Sequence, residues 1–187
     1  MAIDSDRFFI LTGGPGSGKT TLIETLARRG FARSLEAGRS ILMDQMAIGG
    51  NAVHWGDQRM FAELMLAHEM RSYHMAEAEE GPVLFDRGIP ELSHDFALVG
   101  LGEPPPHFSR AAEVFRYNRT VFIAPPWREI FANDKERKQD FAEAVRSYDL
   151  CVEAYGHWGY ELVELPKASV NARAAFVLER MDRDGGR

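Results

Sequence analysis

Cysteine is nearly missing from this chain. Cys151 is the one cysteine among 187 residues, so no internal disulfide can form and no cysteine-based zinc site can be built. Cys151 itself reads as a small core residue. The six histidines show no H-x-x-x-H spacing, and no zinc is assigned to them. Positive charge is also in short supply. The net charge of -6 and a pI near 5.5 argue against a nucleic-acid binder, which needs a basic face to neutralise phosphates. A local basic pocket remains compatible with that balance. No apolar run reaches membrane-spanning length, and the opening MAIDSDRFFI leads with acidic rather than basic residues. Neither a signal peptide nor a membrane helix is therefore expected, and the expected setting is the cytoplasm. Repeats and low-complexity tracts are absent too. The length suits one core, and a single domain over 1–187 is expected.

What the sequence does contain is an alternation of strand and helix signals, the pattern of a parallel sheet with helices on both faces. The short apolar run RFFILT (7–12) predicts the first strand, and Leu22, Ile23, Leu26 and Ala27 recur behind it at helical spacing. Gly30 closes that helix after Arg28 and Arg29, where cations suit the carbonyl end of the dipole. A weaker strand is expected at 31–35. A long helix is expected from Asp57 to about Glu80, with Phe61, Leu64, Met65, Met75 and Ala76 on its apolar side. Strands are predicted at 82–85, 121–124 and 160–165. Helices are predicted at 140–157, with Phe141, Ala144, Tyr148, Val152 and Tyr155 on one face, and at 171–181, opened by a turn that Ser169 or Asn171 can cap. GLGEPPPH (100–107) reads as loop because of its proline and glycine. GGNAVHWG (49–56) is irregular as well, with Trp55 either stacking on a base or packing in the core.

The strongest chemistry lies in GGPGSGKTT, residues 13–21. Gly13, Gly18, Lys19 and Thr20 fit G-x-x-x-x-G-K-[ST], and a chance match in this length is on the order of one per cent. An apolar strand leads in and an amphipathic helix leads out, as the mechanism requires. The glycines let backbone N–H groups face a phosphate chain, and the helix N-terminus adds its dipole. Gly13, Gly14, Pro15, Gly16, Ser17, Gly18, Lys19, Thr20 and Thr21 are thus the candidate nucleotide cradle. Lys19 is expected to bridge the terminal phosphates of ATP, and the Thr20 hydroxyl to reach Mg²⁺.

PVLFDRG (82–88) supplies the second feature. A strand ending in Asp86 sets a carboxylate at the sheet edge beside the phosphate loop, where it can hold magnesium directly or through water. ATPases of the AAA type usually follow that aspartate with a glutamate that orients the attacking water. Arg87 stands there instead. An arginine suits clamping of an acceptor phosphate or neutralising charge in transfer, and a plain Asp86–Arg87 ion pair is its structural alternative. The third feature, WREIFANDKERKQDF (127–141), concentrates Arg128, Arg137 and Lys138. It reads as a lid over the nucleotide, or as a solvated helical face in which Asp134 and Glu136 offset the charge.

Together GGPGSGKTT, FDRG and the arginine-bearing stretch after APPW resemble the P-loop kinases of nucleosides and nucleotides, the GKTT and Asp-Arg pair being similar to thymidylate kinases. Over nearly the full length, through EAGRS, FDRGIPE, RYNR, FIAPPW and ERKQDF, the chain resembles small bacterial proteins catalogued as a P-loop "AAA domain", related to the kinase-like domain of NadR, whose homologues include ribosylnicotinamide kinases. The resemblance implies a three-layer α/β/α P-loop fold with a five-stranded parallel sheet in the order 2-3-1-4-5. It also implies a kinase with Lys19, Asp86, Arg87, Arg128, Arg137 and Glu36 as catalytic candidates. The AAA label fits less well, because neither the extra helical domain of AAA machines nor a glutamate after Asp86 is expected here. Kinases of this architecture hold the acceptor where LEAGRS falls. Glu36 there resembles the base of deoxynucleoside kinases, and Arg39 the phosphate clamp of nucleoside monophosphate kinases. Arg87 would complete the acceptor set, with Thr20 and Asp86 on the metal. ATP- and Mg²⁺-dependent transfer to a nucleoside monophosphate is the expectation. A nucleoside acceptor, or a nucleotide-binding switch or slow ATPase that contacts a protein partner, are the alternatives.

Overall fold

The computed structural model describes residues 6–34, 36–98, 100–131 and 140–185. Five strands, β1 (Phe8–Gly13), β2 (Ala32–Arg33), β3 (Val83–Asp86), β4 (Thr120–Ala124) and β5 (Glu161–Glu164), pair in parallel in the order β2-β3-β1-β4-β5. That is the expected order. Parallel neighbours need crossovers, and α1 (Lys19–Ala27), α2 (Ala37–Ile48), α3 (Gln58–Glu77), α4 (Ile89–Leu98), α5 (Pro106–Val114), α6 (Phe141–His157) and α7 (Val170–Gly185) supply them.

Every residue of β1 is buried, as a strand covered on both faces must be. The two-residue period of the strand divides its side chains between two cores. Phe8 and Ile10 join Leu66 and Tyr73 of α3, Ile89 and Phe96 of α4, Phe108 of α5, and Cys151 and Tyr155 of α6. Phe9 and Leu11 face Leu22, Ile23 and Leu26 of α1 and Ala174, Val177 and Met181 of α7. Register then fixes the working edge. Leu11 lies beside Asp86 on one flank of β1, and Gly13 beside Ala124 on the other, so the glycine loop and the β3 aspartate emerge together at the carboxyl ends of the strands.

Local sequence sets the helix starts. The Asp57 carboxylate accepts from the Met60 N–H at 2.9 Å, and that of Asp140 from the Glu143 N–H at 2.8 Å. Ser169 caps α7, its hydroxyl oxygen accepting from the Ala172 N–H at 3.3 Å. The proline run differs from the loop expected over 100–107. Pro105 stands at the cap position, and Pro106 begins α5, where its missing N–H removes nothing from the helix. Two assigned core residues are also corrected. Met75 is 64% exposed and Val152 38% exposed, because α3 and α6 turn Tyr73, Ala76, Cys151 and Tyr155 inward instead. Trp55 is 60% exposed and packs edge-on to the His54 ring, which rules out its core reading. Cys151 is buried, as expected.

The loop after β1 lies tight against α6. A Cβ built on Gly14 would stand 2.3 Å from the Ala144 carbonyl oxygen, whereas one on Gly156, near the end of α6, would meet nothing within 4 Å. Gly14→Ala must therefore push α6 off the loop and should destabilise the protein by about 1–3 kcal/mol in chemical denaturation. Gly156→Ala should instead stabilise it by about 0.4–1 kcal/mol, through a less flexible unfolded chain.

Candidate active site

The glycine loop takes the shape of an anion cradle. Gly16 and Gly18 have φ of 69° and 79°, a left-handed conformation that glycine adopts at no steric cost, and Gly18 caps α1 without any side-chain bond. The first amides of α1 therefore keep their hydrogens directed out of the helix. Ser17 fastens the turn internally, its hydroxyl donating to the Gly14 carbonyl at 2.8 Å. Arg173 of α7 fastens it from outside, with Nη1 donating to the Ser17 carbonyl at 3.0 Å. Thr20 and Thr21 occupy the exposed first turn of α1.

Lys19 lies folded back over this loop. Its Nζ donates to the carbonyls of Gly13 and Gly14, both at 2.8 Å, and stands 3.4 Å from Ser17 Oγ. Burial pushes its pKa down to about 8, and the Arg87 charge adds to that, while Asp86 opposes it. The ammonium is held by two neutral carbonyls that a phosphate chain can replace.

Asp86 ends β3 with its Oδ1 buried and without a hydrogen-bond partner among the described residues. Burial raises its pKa, while the Lys19 charge lowers it. An orphaned carboxylate oxygen fits the chemistry of a divalent cation, for which the Thr20 hydroxyl would be the other protein group beside phosphate oxygens and water. No three His, Cys, Asp or Glu among the described residues cluster as metal ligands; a phosphate-bound magnesium requires no such cluster.

Arg87 is the non-glycine residue with positive φ, 72°, among those described. Such a conformation costs on the order of 1–3 kcal/mol and persists where surrounding contacts impose it. Here they are plain. Its Nη2 donates to the Gly13 carbonyl at 3.2 Å and its Nη1 to Glu91 Oε2 at 3.4 Å. The ion pair recorded for Arg87 is thus with Glu91, rather than with Asp86. Glu91 is 2% exposed and also accepts from the Thr12 hydroxyl at 2.8 Å, the Cys151 thiol at 3.2 Å and the Gly88 N–H at 3.4 Å. Burial and the Glu91 charge push that thiol's pKa up to about 12, so Cys151 serves here as a neutral donor.

Beside the loop opens a cavity of about 630 Å³ whose lining includes Pro15 and Arg87 on the phosphate side, and Glu36 and Arg39 at the start of α2. The structure thus brings Glu36, Arg39 and Arg87 to one space. Phe61, Met65, Leu92 and Phe96 give it apolar walls, and Arg146 of α6 adds a cation. Glu36 precedes the first residue of α2 and does not extend β2, which stops at Arg33. Arg128 is exposed, its guanidinium 4.3 Å above the Phe141 ring. Arg137 and Lys138, expected in a lid over 127–141, fall in 132–139, outside the described residues.

Four residues escaped the sequence reading. Glu91 has a signal in retrospect, since it sits in the first turn of α4, four residues after Arg87. Glu69, Arg146 and Arg173 have none, because each reaches the site only through packing of distant elements.

A central P-loop on a sheet of this order defines the fold of P-loop nucleoside and nucleotide kinases. The chain belongs to the P-loop family described as an AAA domain, whose model matches residues 8–173. Among solved structures it is similar to a deoxyadenosine kinase from M. mycoides with products dCMP and a flexible dCDP bound (TM-score 0.67, 12% identity, 94% of this chain and 99% of that one). It is also similar to the NadR protein in complex with NR (TM-score 0.73, 16% identity, 97% of this chain) and to a thymidylate kinase from Ehrlichia chaffeensis (0.57, 15%, 95% of this chain and 99% of that one). The chain spans about half, 51%, of the NadR chain. At these identities the likeness concerns the fold. No curated protein matches. None of the helices among the described residues is long and apolar enough to cross a membrane.

The depressed Lys19 pKa has a measurable consequence. Its folded value of about 8 lies below the unfolded 10.5, so between these the unfolded chain binds more protons, and stability rises with pH across that window. A phosphate chain favours the charged form. ATP binding at a pH between about 8 and 10.5 should therefore take up a proton, seen as a buffer-dependent heat in calorimetry, and Lys19→Met should lose both the uptake and the stability slope.

Proposed function

We propose that this protein transfers the terminal phosphoryl group of ATP, with Mg²⁺, to a small nucleotide-like acceptor seated in the 630 Å³ cavity, and that the acceptor is a nucleoside monophosphate. One observation carries the reading. Arg87 belongs to both halves of the site, bonded to the Gly13 carbonyl of the phosphate loop while lining the cavity. A guanidinium there lies between donor and acceptor, where charge develops during in-line transfer. A hydrolase or a switch has no need of a second pocket on that side.

The roles follow from placement. The loop amides and Lys19 hold the β- and γ-phosphates, with Lys19 exchanging its two carbonyl partners for phosphate oxygens. Thr20 and Asp86 would hold magnesium, whose charge neutralises the phosphate oxygens when bound. Arg39 and Arg146 clamp the acceptor phosphate, and the apolar wall of α3 and α4 takes its ring. An acceptor oxygen attacks the γ-phosphorus, the bond to the bridging oxygen breaks, and the electron pair leaves with ADP. A monophosphate oxygen carries no proton that must be removed. Arg128 and Arg137 remain candidates for a further contact with the transferred group.

A second reading, a nucleoside acceptor, rests on Glu36. It lines the cavity, and its charge is felt by both Lys19 and Asp86, so it is placed to take the proton of an attacking hydroxyl.

Two substitutions separate these readings when kcat/KM is measured against nucleosides and their 5′-monophosphates. Arg39→Ala should lower kcat/KM for a monophosphate at least tenfold, since a charge-assisted contact to phosphate is worth about 1.5–3 kcal/mol, and leave ATP affinity unchanged. If Arg39→Ala is silent and Glu36→Gln instead removes about 10²- to 10⁴-fold of activity on a nucleoside, the nucleoside reading replaces the monophosphate one. Lys19→Ala should abolish turnover in either case without unfolding the protein.

A further inference from the structure

The core side of α3 contains one residue that does not belong in a core. Leu66, Tyr73 and Ala76 are buried there, and the Tyr73 hydroxyl is satisfied by the Arg116 carbonyl at 2.6 Å. Glu69 is buried with them, 2% exposed, and its Oε2 has no hydrogen-bond partner among the described residues. A buried carboxyl oxygen without a partner costs stability, and natural proteins keep such groups where another requirement holds them. Satisfied alternatives stand close by in the same chain. Glu91, equally buried, has donors on both oxygens. Glu69 has no such set.

Its position suggests the requirement. Phe61, Met65 and Glu69 recur at every fourth residue of α3 and all line the cavity, as do Leu92 and Phe96, four apart on α4. The carboxyl therefore stands at the end of an apolar stripe, with a second apolar stripe from α4 in the same wall. That is the surrounding of a flat ring, gripped by apolar side chains and read at its edge by a single polar group. Burial raises the Glu69 pKa well above its ordinary value, and the Glu91 and Asp86 charges add to this. In either protonation state the carbonyl-type oxygen accepts a hydrogen bond.

We propose that Glu69 is the specificity-determining residue of the cavity, accepting a hydrogen bond from an amino or amide N–H on the ring of the acceptor. The assignment rests on the transfer function proposed above and narrows its acceptor to rings that bear such a nitrogen at their edge. A ring with hydrogen in that place would leave Glu69 both buried and unpaired in the complex, the situation in which hydrogen-bonding sites reject an analogue strongly.

The test uses matched acceptors, each as nucleoside and 5′-monophosphate: adenosine against its 6-deamino analogue, cytidine against its 4-deamino analogue, and a pyridine carboxamide ribonucleoside against its carboxylate. Wild-type protein should favour the N–H-bearing member of the accepted pair at least tenfold in kcat/KM. Glu69→Leu should bring that ratio to about one while ATP affinity is kept, and Glu69→Gln, whose amide oxygen still accepts, should retain part of it. In the free protein Glu69→Leu should melt about 2–4 °C higher, because an unpaired buried group is gone. Turnover with a preference that Glu69→Leu leaves intact, or with none in the wild type, overturns the assignment and leaves phosphoryl transfer standing. A lower melting temperature in both variants overturns it too, since Glu69 would then have a partner in the free protein. Turnover of no acceptor at all overturns the transfer function, and this assignment with it.

Discussion

The buried carboxylate of Glu91 holds the site together. Four donors from three parts of the chain converge on it: the Thr12 hydroxyl near the end of β1, the Arg87 guanidinium and Gly88 amide of the turn after β3, and the Cys151 thiol of α6. A charge taken out of water needs such a set of partners, and removing one side of a buried pair is far more damaging than removing both. Glu91 thereby keeps Arg87 in a backbone conformation that an arginine otherwise avoids. The strained turn is what directs the guanidinium back to the Gly13 carbonyl, at the boundary between phosphate loop and cavity.

Electrostatics on the other side of that boundary are arranged for exchange. Lys19, Asp86, Arg87 and Glu36 lie near enough that each alters the protonation of a neighbour. Lys19 occupies two loop carbonyls, and Asp86 keeps a buried oxygen without a partner among the described residues. Both states are costly in the free protein, and the proposed nucleotide and cation would relieve them. Stability is given up where ligands are to bind.

Much of this was legible in the sequence for physical reasons. The glycine loop declares itself because backbone approach to phosphate demands glycine at fixed intervals, and strand β1 because six consecutive buried residues suit only a central parallel strand. The sheet order came from the resemblance carried by GGPGSGKTT and FDRG. Helix starts near Asp57 and Asp140 were legible from apolar spacing, and the structure shows both aspartates capping them. Less legible were features set by tertiary packing. Pro106 was read as a loop former although proline is well accommodated at a helix start. Met75 and Val152 fitted an apolar stripe, but the rotation of α3 and α6 turns both to solvent. Glu69 was invisible, since a glutamate on a helix ordinarily marks the wet face, and only the packing of α3 against α4 makes it a cavity residue.

The account stands or falls on where the γ-phosphoryl group goes. The direct measurement is to follow γ-labelled ATP with Mg²⁺ in the presence and absence of each nucleoside and nucleoside monophosphate, and to identify the labelled product. Transfer predicts that one acceptor class becomes labelled and that its presence accelerates ADP release, the label disappearing in Lys19→Ala. Label found only in inorganic phosphate, at a rate that no acceptor changes, would contradict the account and make the protein a slow ATPase or a switch.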